Sequence, residues 1–409
     1  DRLVLNGPGA STTGTTALEI VNLGGLGAQT VGDGIEVITA QGGAVTTAQT
    51  TRDAFTLQNG PVVAGAYEYR LFAADAAGLG ENWYLRSEGT PGTVAYRAEV
   101  PLFTALPEQL RQSGLIMLGN MHQRQGTERL GTAGQRESWA RVISAGRDIA
   151  QGGATSPASH TRFNGVQVGI DLWTDTSWRT GLYLGQLEGR SRVRGTHNGI
   201  GNQDVGGTTL RSRYLGAYTT YRHASDLYAD AVLQFGTHDY TLRPATGAAA
   251  SAGADGWLAS LEMGKPFQLG SSWQVEPQLQ LVYQHLEVSD AQLTNAGAQQ
   301  DARANWQARA GIRVKTSLST RMGTLQPYAR INIYRSSGGA DIARFNAAGG
   351  STSFATGIDG TSSEASIGAL LEITPRASVY AEVGKRWAMS GDSRTSGGLN
   401  GSVGLRWRW

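Results

Sequence analysis

Over the C-terminal two thirds of the chain, apolar and polar residues alternate one for one. From 273 to 285, Trp273, Val275, Pro277, Leu279, Leu281 and Tyr283 share one parity, while Gln274, Glu276, Gln278, Gln280 and Gln284 share the other. A period of two belongs to a β-strand with one wet and one apolar face. The pattern returns in WQARAGIRV, where Trp306, Ala308, Ala310, Ile312 and Val314 oppose Gln307, Arg309, Gly311 and Arg313. It returns in LQPYARINI, where Leu325, Ala329, Ile331 and Ile333 oppose Gln326, Tyr328, Arg330 and Asn332.

Counting RESWARVISAG as first and SVGLRWRW as last, about twelve such strands lie between 137 and 409. The number is even, as single-chain outer-membrane barrels require. The connections sort into two kinds. TDTS, RHAS, LGSS, STRMG and TPRA are brief, whereas 147–162, 190–208, 241–254, 289–304 and 336–361 read as long polar loops. A soluble sandwich has no reason to alternate its loops this way, but transmembrane barrels turn tightly in the periplasm and loop widely outside. Trp178, Trp257, Trp273, Trp306, Trp387, Trp407 and Trp409 fall near strand ends, where amphipathic rings sit at the headgroup level.

Composition agrees. The mean hydropathy of -0.28 is that of a water-soluble protein, and no run approaches the ~20 apolar residues of a membrane helix. Barrel strands pass that test because only alternate residues face lipid. A net charge of +2, with 35 basic and 33 acidic residues spread along the chain, does not point to nucleic acid. The absence of cysteine excludes disulfides, thiolate metal sites and a cysteine nucleophile. The abrupt start at DRLVLNG suggests a processed product whose export signal lies upstream of Asp1.

Residues 1 to about 95 differ, being rich in Gly, Thr and Val with short runs such as LEIVNL, IEVITA, FTLQNG and YEYRLFA between glycine turns. Such spacing fits a sandwich or the last coils of a solenoid, with WYLRSE as a capping strand. Between about 97 and 130 lies the longest helical stretch, in which Leu110, Ile116, Met117 and Met121 are loosely spaced for a helix. Pro107 suits a first-turn position there, and Glu108 suits a helix N-terminus.

These segments resemble, over essentially the whole chain, the C-terminal part of type Va autotransporters of the pertactin type. FTLQNG, GAYEYRL and NWYLRSE look like the end of a right-handed β-helical passenger with its autochaperone, and YRAEVPLFTALPEQLRQSGLIMLGNMHQRQG is similar to the linker helix that threads the barrel. The resemblance implies an all-β protein in three parts: a solenoid or sandwich-like autochaperone at 1–96, a linker with a pore-threading helix at 97–135, and an antiparallel translocator barrel of about twelve strands at 136–409. SVGLRWRW is similar to the signal read by the outer-membrane assembly machinery, carried here by Ser402, Gly404, Trp407 and Trp409. Family members more often finish on Phe. Some cut themselves at the first Asn of an Asn-Asn pair in the helix; Gly119-Asn120-Met121 stands here, and no self-cleavage is expected because an ordered helix would hold Asn120 badly for cyclisation.

The parity of the strands sends Arg141, Arg179, Asp230, Glu262, Glu276, Arg309, Arg313, Arg330, Glu372, Glu382 and Arg386 into the lumen. The helix residues Leu110, Ile116, Met117, Asn120 and Met121 would fill it. The expected function is export and surface display of the chain's own upstream passenger, as a monomer and without a cofactor. Expected partners are outer-membrane lipid and lipopolysaccharide, the barrel-assembly machinery and periplasmic chaperones. An adhesin or porin-like barrel and a surface protease are the alternatives. For the protease, His238-Asp239 at a strand rim is the one suggestive pair; the six histidines show no HExxH spacing, and Gly391-Asp392-Ser393 lacks a strand-to-helix turn. Arg190, Arg192 and Arg194 in GRSRVRGTHNG suit polyanions such as lipopolysaccharide or glycosaminoglycan, with a solvated loop as the simpler reading.

Overall fold

A computed structural model describes residues 1–409 except 26, 49–50, 90–91 and 127–134. Its twelve long antiparallel strands are β1 (Glu137–Gln151), β2 (Ala158–Thr174), β3 (Trp178–His197), β4 (Ile200–Arg222), β5 (Tyr228–Pro244) and β6 (Ala250–Gly264), then β7 (Trp273–Val288), β8 (Asn305–Thr316), β9 (Gly323–Ser337), β10 (Gly360–Glu372), β11 (Ala377–Gly391) and β12 (Leu399–Arg408). Each pairs with the next, and β12 returns to β1 with Val403 opposite Val142 and Leu405 opposite Ala140. The ring closes without an edge, so backbone donors and acceptors find partners inside the wall, as lipid demands. Outward positions such as Val168, Leu184, Leu279, Ile331 and Val403 are exposed and apolar. Trp178 stacks near Tyr221 at 4.7 Å, and Trp257, Tyr283 and Trp306 form a row across β6 to β8, with centroids 5.2 and 4.9 Å apart.

Inward, aromatic rings lie flat over glycines of the neighbouring strand. Tyr183 faces Gly216, Tyr228 faces Gly264 and Tyr380 faces Gly404. A Cβ on Gly404 would stand 2.2 Å from the Tyr380 ring, so that position admits no side chain while the ring stays in place. With the ring seated there, the Tyr380 hydroxyl donates to the Arg124 carbonyl at 2.7 Å.

The brief connections lie at 175–177, 223–227, 265–272, 317–322 and 373–376; two of them carry a short strand, Phe267–Leu269 and Leu318–Thr320, that folds back on the strand that follows. The opposite rim departs from the sequence reading. The stretch 190–208 is no loop: β3 and β4 run on to a two-residue turn at Asn198 and Gly199, both at positive φ. Much of 147–162 and 241–254 is strand as well, and 289–304 and 336–361 fold into hairpins that join in a four-stranded sheet over the mouth. Beyond the lipid both faces of a strand can be polar, so the apolar period vanishes while backbone pairing continues.

Residues 1–89 begin as parallel rungs, with Leu3–Asn6 on Ile35–Gln41 and Thr16–Leu18 on Phe55–Leu57. They end in an antiparallel set of Val62–Ala64, Tyr67–Ala73 and Trp83–Arg86. Trp83–Arg86 is inserted between Ile35–Gln41 and Tyr67–Ala73 rather than capping an edge. Ile38, Ala54, Phe55 and Trp83 form the small core there; Phe55 meets Trp83 edge-on at 5.2 Å, and the indole donates to Thr46 at 3.0 Å.

Two helices follow, α1 (Glu99–Leu118) and α2 (Met121–Gln125), so the helical stretch is broken; its last part, 127–130, lies outside the described residues. Pro107 and Glu108 do not begin it. The first turn holds Glu99 and Pro101, and Pro107 sits in the interior. A proline there removes the bond its N–H would give to the Phe103 carbonyl. Gln300 from the rim supplies that bond instead, at 2.6 Å. The helix starts early because its N-terminal face, with Leu102, Phe103 and Leu106, is buried among rim aromatics such as Phe345, which meets Phe103 edge-on at 5.7 Å.

Candidate functional site

The lumen is the site, and α1 and α2 fill it. Nearly every residue of α1 is buried, polar ones included, because the wall around it is polar. Ser113 shares a hydrogen bond with Tyr214 at 2.7 Å, and Gln109 donates to Ser191 at 3.1 Å. Carbonyls near the helix end are met by the wall: Arg141 and Gln167 donate to Met117, whose carbonyl is orphaned at the helix C-terminus, Gln280 donates to Gly119, and Gln234 adds a bond to Gly114, at 2.7–3.3 Å.

Gly119, at φ 59°, turns the chain out of α1. Asn120 is extended rather than helical and caps α2, accepting from the Gln123 amide at 2.9 Å while its own amide donates to the Gln123 side chain at 3.1 Å. Asn120 therefore does not lie in the ordered helix expected from the sequence; a capping box, not helix geometry, holds its side chain. Leu110, Ile116, Met117, Asn120 and Met121 are all buried in the lumen, and the Met121 amide donates to Glu262 at 3.1 Å.

The charged residues of the wall meet one another and the helices. Asp230 holds Arg124 of α2. Glu262 pairs with Arg309 at 3.2 Å, and Glu276 with His122 at 2.8 Å and Arg313 at 3.6 Å. Arg330 bridges Glu382 at 2.6 Å and Glu364 at 3.5 Å. Arg179 meets Glu137 at 2.8 Å, Arg141 donates to Gln167 at 2.6 Å, and Arg386 donates to Ser362 while lying 3.9 Å over the Tyr334 ring. Glu372 stands apart near the short turns, partly exposed and 3.9 Å from Arg406.

Three contributors went unnoticed in the sequence. Glu137 collects Arg179, Arg406 and Arg408, and its parity with Trp139 and Arg141 would have revealed it. Arg111 of α1 grips Asp341 with two bonds of 2.7 and 2.5 Å and also donates to the Arg303 carbonyl at 2.7 Å. Arg97, paired with Glu99 at 2.8 Å, donates to the carbonyls of Thr294 on the rim at 2.9 Å and Gly65 at 3.3 Å. With Asn295 donating to Val63 at 3.0 Å and Tyr96 meeting Phe354 edge-on at 5.0 Å, the end of the N-terminal segment is seated on the mouth.

His238 and Asp239 face opposite sides of β5. His238 is buried against Ser212 at 2.7 Å, and Asp239 is exposed beside Arg213 at 3.3 Å. They form no dyad. At the seam, Ser402 is half-buried, Gly404 lies under Tyr380, and Trp407 and Trp409 are exposed on the short-turn side. Trp409 donates to Ser138 at 3.0 Å.

A closed twelve-stranded wall with a helix through its polar lumen, short turns on one rim and a solenoid end on the other defines a secretion barrel. The autotransporter beta-domain family matches residues 138–384, and the type 1 autochaperone domain matches residues 1–71. The chain belongs to the autotransporter family, and its barrel is an outer-membrane translocator. The adhesin BmaC autotransporter of Brucella suis is 31% identical over 321 residues, 71% of this chain and 9% of BmaC. The autotransporter adhesin AIDA-I of Escherichia coli is 27% identical over 360 residues, 81% of this chain and 26% of AIDA-I. The chain therefore spans only a small part of these two relatives. Among solved structures, the transport unit of AIDA-I from Escherichia coli aligns with a TM-score of 0.59 at 17% identity, covering 77% of this chain and 100% of that unit. The translocator domain of NalP from Neisseria meningitidis aligns at 0.52 and 18% identity, covering 75% of this chain and 97% of that domain.

Proposed function

We propose that the barrel exports the polypeptide on the N-terminal side of residue 97 and keeps α1 in its lumen as the last segment to pass. The supporting observation is the path of the chain. Arg97 is anchored at the mouth, α1 descends the lumen, α2 ends beside Arg179 and Asp230 deep in it, and β1 begins on the short-turn side. We divide the chain accordingly into an autochaperone end at 1–96, a linker at 97–135 and the translocator at 136–409. A lumen that one helix fills admits an unfolded strand or hairpin but not a folded solenoid. Folding of 1–96 on the mouth supplies drive that no nucleotide provides at the outer membrane.

In this reading Ser402, Gly404, Trp407 and Trp409 form the address recognised by the assembly machinery after periplasmic chaperones deliver the chain. Leu110, Ile116, Met117, Asn120 and Met121 form the plug. The charged wall residues hold that plug and keep the lumen wet. The translocator works without a catalytic centre of its own, a reading supported by the divergence of His238 and Asp239. The capping box keeps Asn120 from cyclising, so purified protein carries no new N-terminus at Met121. Two relatives are named adhesins, and we extend adhesion to the passenger this barrel carries.

Planar-bilayer conductance tests the plug. The whole chain should conduct little, and deletion of 99–125 should open a large steady conductance. Large steady conductance from the whole chain would favour a porin instead.

A further inference from the structure

The outward face of β2 and β3 changes chemistry with height. Read away from the short turns, β2 presents Ile170, Val168 and Val166, then Asn164, Arg162 and His160; β3 presents Leu182 and Leu184, then Gln186, Glu188, Arg190, Arg192 and Arg194, all exposed. Arg190 stands directly opposite Arg162, and Arg192 opposite His160. Like charges so opposed destabilise a sheet. The charged row beneath is neutralised within the protein, Glu188 lying 3.5 Å from Arg211 and Asp239 3.3 Å from Arg213. The upper row is not. Among the described residues Arg162, Arg190 and Arg194 have no ion-pair partner, and Arg192 has only Asp204 at 3.7 Å.

A groove of about 420 Å³ opens beside them, lined by Arg192, Arg194 and Arg394 together with His160, which Asp148 engages. Arg162 is four residues above Val166, roughly 13 Å along a strand and about 10 Å in height at a barrel's tilt. That is headgroup depth. Arg190 and Arg194 lie about 13 Å apart on one strand, farther than a single phosphate reaches.

We propose that this surface binds the multiply phosphorylated headgroup of an outer-leaflet glycolipid of the lipopolysaccharide class. Arg162, Arg190, Arg192 and Arg194 hold its phosphates through bidentate, charge-assisted bonds. Its acyl chains lie on Val166, Val168, Leu182 and Leu184. The site rests on the outer-membrane reading and gives the barrel a fixed lipid contact at the foot of its longest hairpin.

The test uses the full chain extracted from outer membranes in detergent. Binding of diphosphorylated lipopolysaccharide is compared with that of the same glycolipid after phosphatase treatment, with inorganic phosphate and heparin as competitors. Arg162→Gln/Arg190→Gln/Arg192→Gln/Arg194→Gln should bind at least about tenfold more weakly, the loss of a single charge-assisted bond being the minimum. Dephosphorylation should weaken the wild type by a similar factor. If the quadruple variant does not insert, Arg162→Gln/Arg190→Gln carries the same expectation, with Arg162→Lys/Arg190→Lys falling between it and the wild type. Unchanged binding by the folded variant, equal binding of the dephosphorylated glycolipid, or displacement by inorganic phosphate or heparin would each overturn the site. Surface display of residues 1–96 should be normal in these variants; loss of display by the wild type would instead strike the translocator reading.

Discussion

The two ends of this molecule bury opposite chemistries. In the N-terminal solenoid the core cluster is apolar, built on Ile38, Phe55 and Trp83, and buried polar groups beside it such as Thr46 and Arg86 are tied down by hydrogen bonds. In the barrel, Arg309, Glu262, Glu276 and Arg330 are inside, and Ile331, Leu279 and Val403 outside. The same period-two strand serves both, so the surrounding solvent decides which face becomes the core. The barrel gives its buried charges partners, carboxylates for Arg309, Arg313 and Arg330 and neutral amide, hydroxyl or ring contacts for Arg141 and Arg386, because an unpartnered ion in a low dielectric is costly.

Variants that reverse either arrangement test this contrast. The largest effect is expected at the seam: Trp407→Asp/Trp409→Asp should abolish insertion, seen as loss of heat-modifiable gel mobility in outer-membrane fractions, and normal display of that variant would refute the address assigned to these residues. Trp83→Ala should cost about 3–5 kcal/mol, confined to the solenoid. The barrel would keep its heat-modifiable mobility while the displayed segment becomes protease-sensitive. On the lipid face, Ile331→Arg should cost about 2–4 kcal/mol of barrel stability. Unfolding in urea with reconstituted vesicles measures the loss, and an unchanged midpoint would count against a lipid-facing Ile331.

The smallest effect concerns pH. Partial burial would raise the Glu81 carboxyl, but amide donation from Thr46 and Thr47, each at 2.6 Å, outweighs it and holds the group below the usual carboxylate range. A depressed carboxylate contributes stability above its unfolded value of roughly 4.3, and that contribution fades as pH falls through the folded value. Glu81→Gln should therefore flatten the acid limb of the solenoid's unfolding profile and leave the barrel's unchanged.

Legibility in the sequence followed the solvent too. Each of the twelve strands announced itself where one face meets lipid, as in Trp273 to Tyr283. The upper halves of β3 and β4 did not, because Arg190, Arg192 and Arg194 alternate with residues such as Ser191 and Gly195, and a wet strand has no apolar period. Parity could group Arg309, Arg313 and Arg330 on one face. It could not pair Arg111 with Asp341, which are 230 residues apart and meet only through the position of α1 in the lumen. Pro107 misled for a related reason: the bond it removes is restored by Gln300 from a distant hairpin, which no local rule anticipates.

The chain runs through the lumen, with the solenoid end outside the cell and the short turns on the periplasmic side. Because the chain has no cysteine, single introduced thiols report on it cleanly. In intact cells treated with a membrane-impermeant maleimide, Ala77→Cys on the solenoid should label fully, and Ala224→Cys in a short turn should label only after the outer membrane is permeabilised. Equal labelling of both in intact cells, or the reverse order, would rule out this orientation.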